Sequence, residues 1–169
     1  MSEDEAGKII AIGLAFVLKD TFDTEFYKQS KTRSSLDNDK FQAEWCVFER
    51  CFMELAILSS YGQNDKSNSI ISSFHDYFLK CVYLKSNISG SVGDIIRDRY
   101  SSYIKSYNNK SEPGHVHWVS KTICENLGLD QEDSGNILPM AEYFSCSLVN
   151  NKRFVDKIKV SADMSDTVK

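Results

Sequence analysis

Five large apolar side chains between positions 41 and 55 recur at spacings of four, three, four and three residues. An α-helix turns once every 3.6 residues or so, about the mean of these spacings, so the five side chains share one helical face. They are Phe41, Trp45, Phe48, Phe52 and Leu55. The pattern predicts a helix whose inner face consists mainly of aromatic rings.

Similar spacing recurs along the rest of the chain, and no segment shows the sustained alternation that a half-buried strand requires. With only two prolines and 12% aromatic residues, the chain has few helix breakers and many large side chains to pack. We therefore predict an all-α fold, an irregular antiparallel bundle of about six helices. The predicted helices cover about 4–28, Asp39 to before Gly62, Ile70 to before Ser86, Ser91 to before Asn108, Pro113–Gly128, and a last one from near Asn136–Pro139 to Val160.

The length of 169 residues suits one hydrophobic core. We predict a single helical domain over residues 1–160 and a disordered tail over 161–169. Residues 28–39 are polar and lack apolar periodicity, so they are predicted to form a flexible connection.

The segment Ile9–Leu18 is apolar on nearly every side. A helix of this kind has to be surrounded, either at the centre of the bundle or by a second subunit. It is too short to span a bilayer, and acidic residues precede it where a secretory signal needs positive charge. We therefore predict no membrane partner.

The net charge of −4 and the pI of about 5.4 argue against a nucleic acid partner, since phosphate-binding domains usually carry a basic face. The cysteines are odd in number and lie in hydrophobic stretches, which predicts free, packed thiols in a reducing cytoplasm. They are Cys46, Cys51, Cys81, Cys124 and Cys146.

Three histidines are the first candidates for metal or acid–base chemistry. His115 and His117 stand two residues apart, so on one helix they point in nearly opposite directions and suit a solvated helix start and a helix flank rather than a metal site. His75 could be a base oriented by a carboxylate elsewhere in the chain, or a histidine at the edge of the core. The serines lack a nucleophile-elbow motif. We predict no catalytic residue, metal ligand or cofactor.

Arginine and aromatic residues, which dominate binding hot spots, are concentrated in the predicted fourth helix and at the start of the fifth. The alternative is that these tyrosines are half-buried core residues whose hydroxyls reach the surface. The candidate partner-binding residues are Arg97, Arg99, Tyr100, Tyr103, Tyr107 and Trp118.

Together these features predict an interaction or self-association module without catalytic activity, whose partner is itself, as a homodimer, or another protein. The excess of large apolar residues motivates this hypothesis. The alternative is a helical bundle that binds a small molecule or cofactor between its helices, with or without catalysis. A third hypothesis is that the protein is an acidic inhibitor of a basic partner.

Overall fold

The computed structural model describes residues 1–82 and 92–166, and the side chains of residues 1–81 and 98–163. Within those residues the chain is all-α, as predicted, and contains no strand. Seven helices occur there, one more than the number predicted: α1 (Glu3–Phe22), α2 (Glu25–Arg33), α3 (Asn38–Tyr61), α4 (Asp65–Val82), α5 (Val92–Tyr107), α6 (His115–Asn126) and α7 (Ser134–Asp166). The predicted helix start at Ser91 lies outside the described residues.

The chain forms two compact units, each built from separate stretches of sequence. Unit 1 comprises Met1–Asp20, Phe52–Asn87 and Leu148–Lys169, and unit 2 comprises Thr21–Cys51 and Ile88–Ser147. Helices α1, α3 and α7 therefore contribute residues to both units. A single domain over residues 1–160 stays a prediction.

The helix predicted over 4–28 is two helices in the structure, because α1 ends at Phe22 and α2 begins at Glu25. Between them, Thr24 has an extended backbone, and its side-chain oxygen accepts a hydrogen bond from the Tyr27 N–H at 3.2 Å. A threonine in this position satisfies an N–H group that has no partner within the helix, so a new helix begins there.

The predicted flexible connection over 28–39 is wrong for its first half, which is the end of α2. The second half is tied to the end of α6. The Ser34 hydroxyl donates to the Leu127 carbonyl, and the Ser35 N–H donates to the Gly128 carbonyl at 2.9 Å. Polar residues without apolar periodicity are ordered here because backbone carbonyls satisfy their donors.

Helix α3 has nearly the predicted bounds. It begins one residue before Asp39, and its N-terminal cap is Asp37, whose carboxylate accepts the Lys40 N–H at 2.9 Å. The predicted stop at Gly62 is confirmed: its φ of 79° is a left-handed conformation that glycine adopts without steric cost.

Helix α4 begins at Asp65, five residues before the predicted start at Ile70. The Asn64 side chain accepts the Ser67 N–H at 3.0 Å, and the Ser67 hydroxyl accepts the Asn64 N–H at 3.1 Å. This reciprocal cap starts the helix in a stretch that has no apolar spacing, which is why the sequence pattern placed the start too late.

Helix α7 runs to Asp166, whereas a disordered tail was predicted over 161–169. Ala162, in the part predicted to be disordered, is buried. The structure therefore differs from the prediction over 161–166, and residues 167–169 lie outside the described part of the chain.

The core of unit 2 is a cluster of aromatic rings centred on Trp45. The centroid of the Trp45 ring lies 4.9 Å from that of Phe48 and 5.0 Å from that of Tyr27. The rings of Phe26, Phe41 and Tyr143 lie within 5.9 Å of it. Edge-to-face and tilted contacts at these distances stabilise a core beyond the burial of area alone.

The predicted inner face of α3 is confirmed, because four of its five residues are fully buried and Leu55 is half-buried. Every residue from Glu44 to Glu54 is buried, so this part of α3 is covered on all sides. Of the two alternatives for the apolar first helix, a central position does not apply, since α1 has an exposed face; coverage by a second subunit stays a prediction. The three carboxylates in this part of α3 are buried with partners: Glu44 with Arg99, Glu49 with Tyr143, and Glu54 with His75.

Candidate functional site

One face of α1 presents a continuous apolar surface to solvent. Ile9, Ile12 and Phe16 are 43%, 38% and 66% exposed, and Val17 beside them is 48% exposed. Residues three and four apart are neighbours on a helix, so these side chains form one patch rather than scattered single contacts. We call these four residues the α1 patch. Contiguous apolar patches are typical of protein interaction sites.

The opposite face of α1 is held in the core of unit 1. Ile10 and Leu14 are fully buried there. At Gly7, α1 approaches α4 so closely that an added Cβ would lie 2.6 Å from the Cβ of Ser73. The Ser73 hydroxyl also donates to the Asp4 carboxylate at 2.7 Å. Rotation of α1 would break these contacts, so the α1 patch cannot turn inward.

Charged residues continue the spacing of the α1 patch at both ends. Glu5 lies four residues before Ile9, and Lys19 lies three after Phe16; both charged side chains are exposed. The Ser2 N–H donates to the Glu5 carboxylate at 2.8 Å, and this hydrogen bond lowers the pKa of Glu5. The carboxylate is therefore ionised at neutral pH. The patch runs from a negative end to a positive end.

Two of the predicted partner-binding residues have partners or packing within unit 2: Arg99, which is partly exposed, and Tyr103, which is buried. The Arg99 Nε donates to the carboxylate oxygens of Glu44 at 3.0 and 3.2 Å. The pKa of Glu44 is nevertheless raised, because its loss of hydration on burial outweighs the attraction of the guanidinium. Tyr103 is 0% exposed, and burial raises its pKa well above the usual value. The prediction is wrong for Tyr103, since a fully buried side chain cannot contact a second protein.

The other predicted contact residues are half-buried where their side chains are described. The Trp118 indole N–H donates to a backbone carbonyl in the loop before α6 at 3.2 Å. The ring of Tyr107 meets that of His115 at a centroid distance of 5.4 Å, and Tyr100 is half-buried on the same helix as Tyr107. The side chain of Arg97 lies outside the described residues. Partner binding by these residues stays a prediction.

A buried carboxylate in unit 2 was not anticipated from the sequence. Glu49 is 0% exposed and accepts hydrogen bonds from the hydroxyls of Tyr143 at 2.5 Å and Ser147 at 2.9 Å. Burial, and then the negative charge of Glu49, raise the pKa of Tyr143, so the phenol keeps its proton and donates. The sequence carried one sign of this cluster: Tyr143 and Ser147 are four residues apart, which places both hydroxyls on one face of α7.

The three histidines lie at the kinds of position that the sequence predicted: a helix start, a helix flank and the edge of a core. His115 is exposed at the first residue of α6, and His117 is half-buried. The Nε2 of His75 lies 2.9 Å from a carboxylate oxygen of Glu54, which links α4 to α3 within unit 1. In the part of the chain that the structure describes, no three His, Cys, Asp or Glu side chains are arranged to hold a metal ion.

All five cysteines are free thiols, as predicted. Cys46, Cys51 and Cys124 are buried, and burial raises the pKa of Cys46 to about 12 and that of Cys124 to about 11. Cys146 is exposed, which corrects the expectation that every cysteine is packed in the core.

A cavity of about 100 Å³ lies between α2 and the start of α7 in unit 2. Its walls include Ser30, Arg33 and the ring of Phe26. Pockets for drug-sized ligands and cofactors usually enclose roughly 300–1,000 Å³. The cavity therefore gives no support to the alternative of a small-molecule or cofactor site.

No protein-family model, curated protein or solved structure matches the chain. None of the helices in the described residues has both the length and the hydropathy needed to cross a lipid bilayer. A function can therefore be inferred only from the structure of the chain, and the α1 patch is its main candidate site.

Proposed function

We propose that the protein is an interaction module that binds an amphipathic helix of a protein partner through the α1 patch. One observation carries the proposal: three large apolar side chains, spaced three and four residues apart, are exposed on a helix whose opposite face is fixed in a core. Covering them removes apolar area from water, which is the main driving force of protein association.

A helix is the partner surface that fits this geometry. Side chains at spacings of three and four form the seam along which two helices interlock, and a partner helix with the same spacing fills the gaps between them. The α1 patch is smaller than the 20–30 residues per side, roughly, of a standard interface. We therefore expect transient binding, with a Kd on the order of micromolar or weaker.

The proposal needs no catalytic step and no cofactor. It places the protein in the cytoplasm, since the five free thiols suit a reducing compartment. The acidic overall charge supports a protein partner over nucleic acid.

Cross-linking through lysines beside the α1 patch tests the proposal. Lys8 and Lys19 are exposed on α1, so a lysine-reactive cross-linker applied to cells that express the chain should join them to helical segments of a partner. Phe16→Asp should lower the yield about tenfold or more, because a carboxylate would have to be buried in the contact.

Leu138→Asp is the matched control, since Leu138 is also an exposed apolar residue on a helix, at 67% exposure. It should leave the cross-links from Lys8 and Lys19 unchanged. Cross-links that are absent, or that persist at full yield in Phe16→Asp, would contradict the proposal. A mixture of ¹⁴N- and ¹⁵N-labelled chains shows whether the partner is a second copy.

A further inference from the structure

We infer that the helix bound by the α1 patch is α1 of a second copy, packed antiparallel about a two-fold axis beside Ile12. The inference rests on the proposed function and names its partner. Glu5, Ile9, Ile12, Phe16 and Lys19 recur at spacings of four, three, four and three. This is the heptad spacing of a two-helix seam, with apolar residues at its centre and opposite charges at its ends.

Antiparallel pairing makes this seam complementary to itself. When Ile12 meets Ile12 of the second copy, Ile9 lies beside Phe16 of that copy, and Glu5 lies beside its Lys19. The same two pairs form again on the other side of the axis, as in any two-fold interface. The opposed helix dipoles also favour this arrangement.

Parallel pairing would place like charges together. The first turn of α1 carries Glu3, Asp4 and Glu5, and its last turn carries Lys19. Two parallel copies would bring the acidic turns into contact, with repulsion in place of attraction. The charge distribution therefore selects the antiparallel orientation.

Of the two charges beside the seam, one opposes the pairing and the other is held away from it. Asp20 is exposed next to Lys19 and would face the acidic turn of the second copy, so it opposes association. The Lys8 ammonium lies 5.3 Å from the centre of the Tyr77 ring on α4, and this contact holds it to the side of the seam. We expect a weak, salt-sensitive dimer whose population rises with protein concentration.

Charge exchange on the purified full chain tests the pairing. Sedimentation equilibrium should show that Lys19→Glu weakens dimerisation about tenfold at low salt, because two attractive contacts become repulsive. Glu5→Lys should weaken it similarly, and the double variant should restore the affinity of the original chain. Glu5→Lys also removes the bond to Ser2, so Lys19→Glu is the cleaner single variant.

Disulfide trapping tests the orientation in a Cys146→Ser background, which removes the exposed native thiol. Ile12→Cys places two thiols at the two-fold axis and should form a covalent dimer on oxidation. Ile9→Cys should not, since position 9 of each copy faces Phe16 of the other, which leaves the two introduced thiols beyond disulfide reach. In a parallel pair, Ile9→Cys would cross-link as readily as Ile12→Cys.

The inference is overturned if the chain stays monomeric up to a protein concentration of about 1 mM, because a specific dimer has a Kd below that value. It is also overturned if Lys19→Glu has no effect or if Ile9→Cys cross-links. In each case, Phe16-dependent cross-links from Lys8 and Lys19, either to a different protein or to a second copy paired in another orientation, would leave the proposed function standing. Without such cross-links, both fail.

Discussion

The guanidinium of Arg33 donates a hydrogen bond to the carbonyl of Gly135 at 3.1 Å. In an uninterrupted helix this carbonyl would accept from the residue four positions later, but that residue is Pro139, which has no N–H. A side chain of α2 thus replaces the missing bond of α7 within unit 2. This explains how α7 tolerates a proline in its second turn.

Arg33→Ala should therefore lower the free energy of unfolding by about 1 kcal/mol, because the Gly135 carbonyl loses its donor. In a Pro139→Ala background the helical N–H is restored, and the same change should cost less than ~0.5 kcal/mol. Urea denaturation of the four proteins measures this coupling. Arg153→Ala, an exposed arginine of α7, is the control. Equal costs of Arg33→Ala in both backgrounds would exclude the compensation.

Trp45→Ala should lower the free energy of unfolding by about 3–5 kcal/mol, as expected for removal of a large core aromatic residue. Trp45 is fully buried among five aromatic rings. Phe16→Ala is the matched control at an exposed aromatic and should change stability by less than ~0.5 kcal/mol in dilute solution. A loss below ~1 kcal/mol for Trp45→Ala would show that the inner face of α3 is misplaced.

Tyr143→Phe should cost about 1–3 kcal/mol, since it removes a hydrogen bond to the fully buried carboxylate of Glu49. In a Glu49→Gln background the same change should cost less, because the acceptor is then neutral. Thermal and urea unfolding measure both values. Tyr77→Phe, on the half-buried ring of α4, should be within ~0.5 kcal/mol of the original chain. Equal effects at the two tyrosines would contradict the described cluster.

Glu44 should make stability fall as pH rises. Its pKa in the folded chain is raised from the ordinary 4.5, so the folded state binds the proton more tightly than the unfolded state does. The resulting stabilisation is present below pH 4.5 and is lost as pH rises through the folded pKa. Glu44→Gln should flatten this part of the curve of unfolding free energy against pH. Parallel curves for the two proteins would rule out a raised pKa at Glu44.

Thiol labelling of the folded chain at neutral pH should modify Cys146 first and the half-buried Cys81 more slowly. Cys46 and Cys124 should stay unmodified, since they are buried and their pKa values are raised to about 12 and about 11. Peptide mass spectrometry after maleimide treatment measures the order. In urea all five thiols should react, and rapid labelling of Cys46 in the folded chain would contradict the described core.

The parts of the fold that depend on local patterns could be predicted. The apolar spacing of α3 and the stop at Gly62 are properties of neighbouring residues, and both are confirmed. The partners of the charged residues in α3 are not local. Glu44 pairs with a residue 55 positions away and Glu49 with one 94 positions away, so their burial could not be recognised from the pattern of α3 alone.

The candidate site was predictable only in part. The apolar run Ile9–Leu18 indicated a helix that something must cover, but helical spacing alone does not say which face the core takes. The close approach of Gly7 to Ser73 decides that in the structure. The tyrosine stripe of α5 is ambiguous in the same way, because it fits a buried face as well as an exposed one. In the structure Tyr103 is fully buried, and Tyr100 and Tyr107 are half-buried.

The interleaving of the two units has a consequence for synthesis on the ribosome. Unit 1 needs both Met1–Asp20 and Leu148–Lys169, whose translation is separated by about 6–25 seconds at ordinary elongation rates. During that interval α1 lacks its contact with α7, where Gly13 packs against the ring of Phe154. Until α7 has been synthesised, the nascent chain therefore exposes more apolar surface of its first helix than the folded protein does.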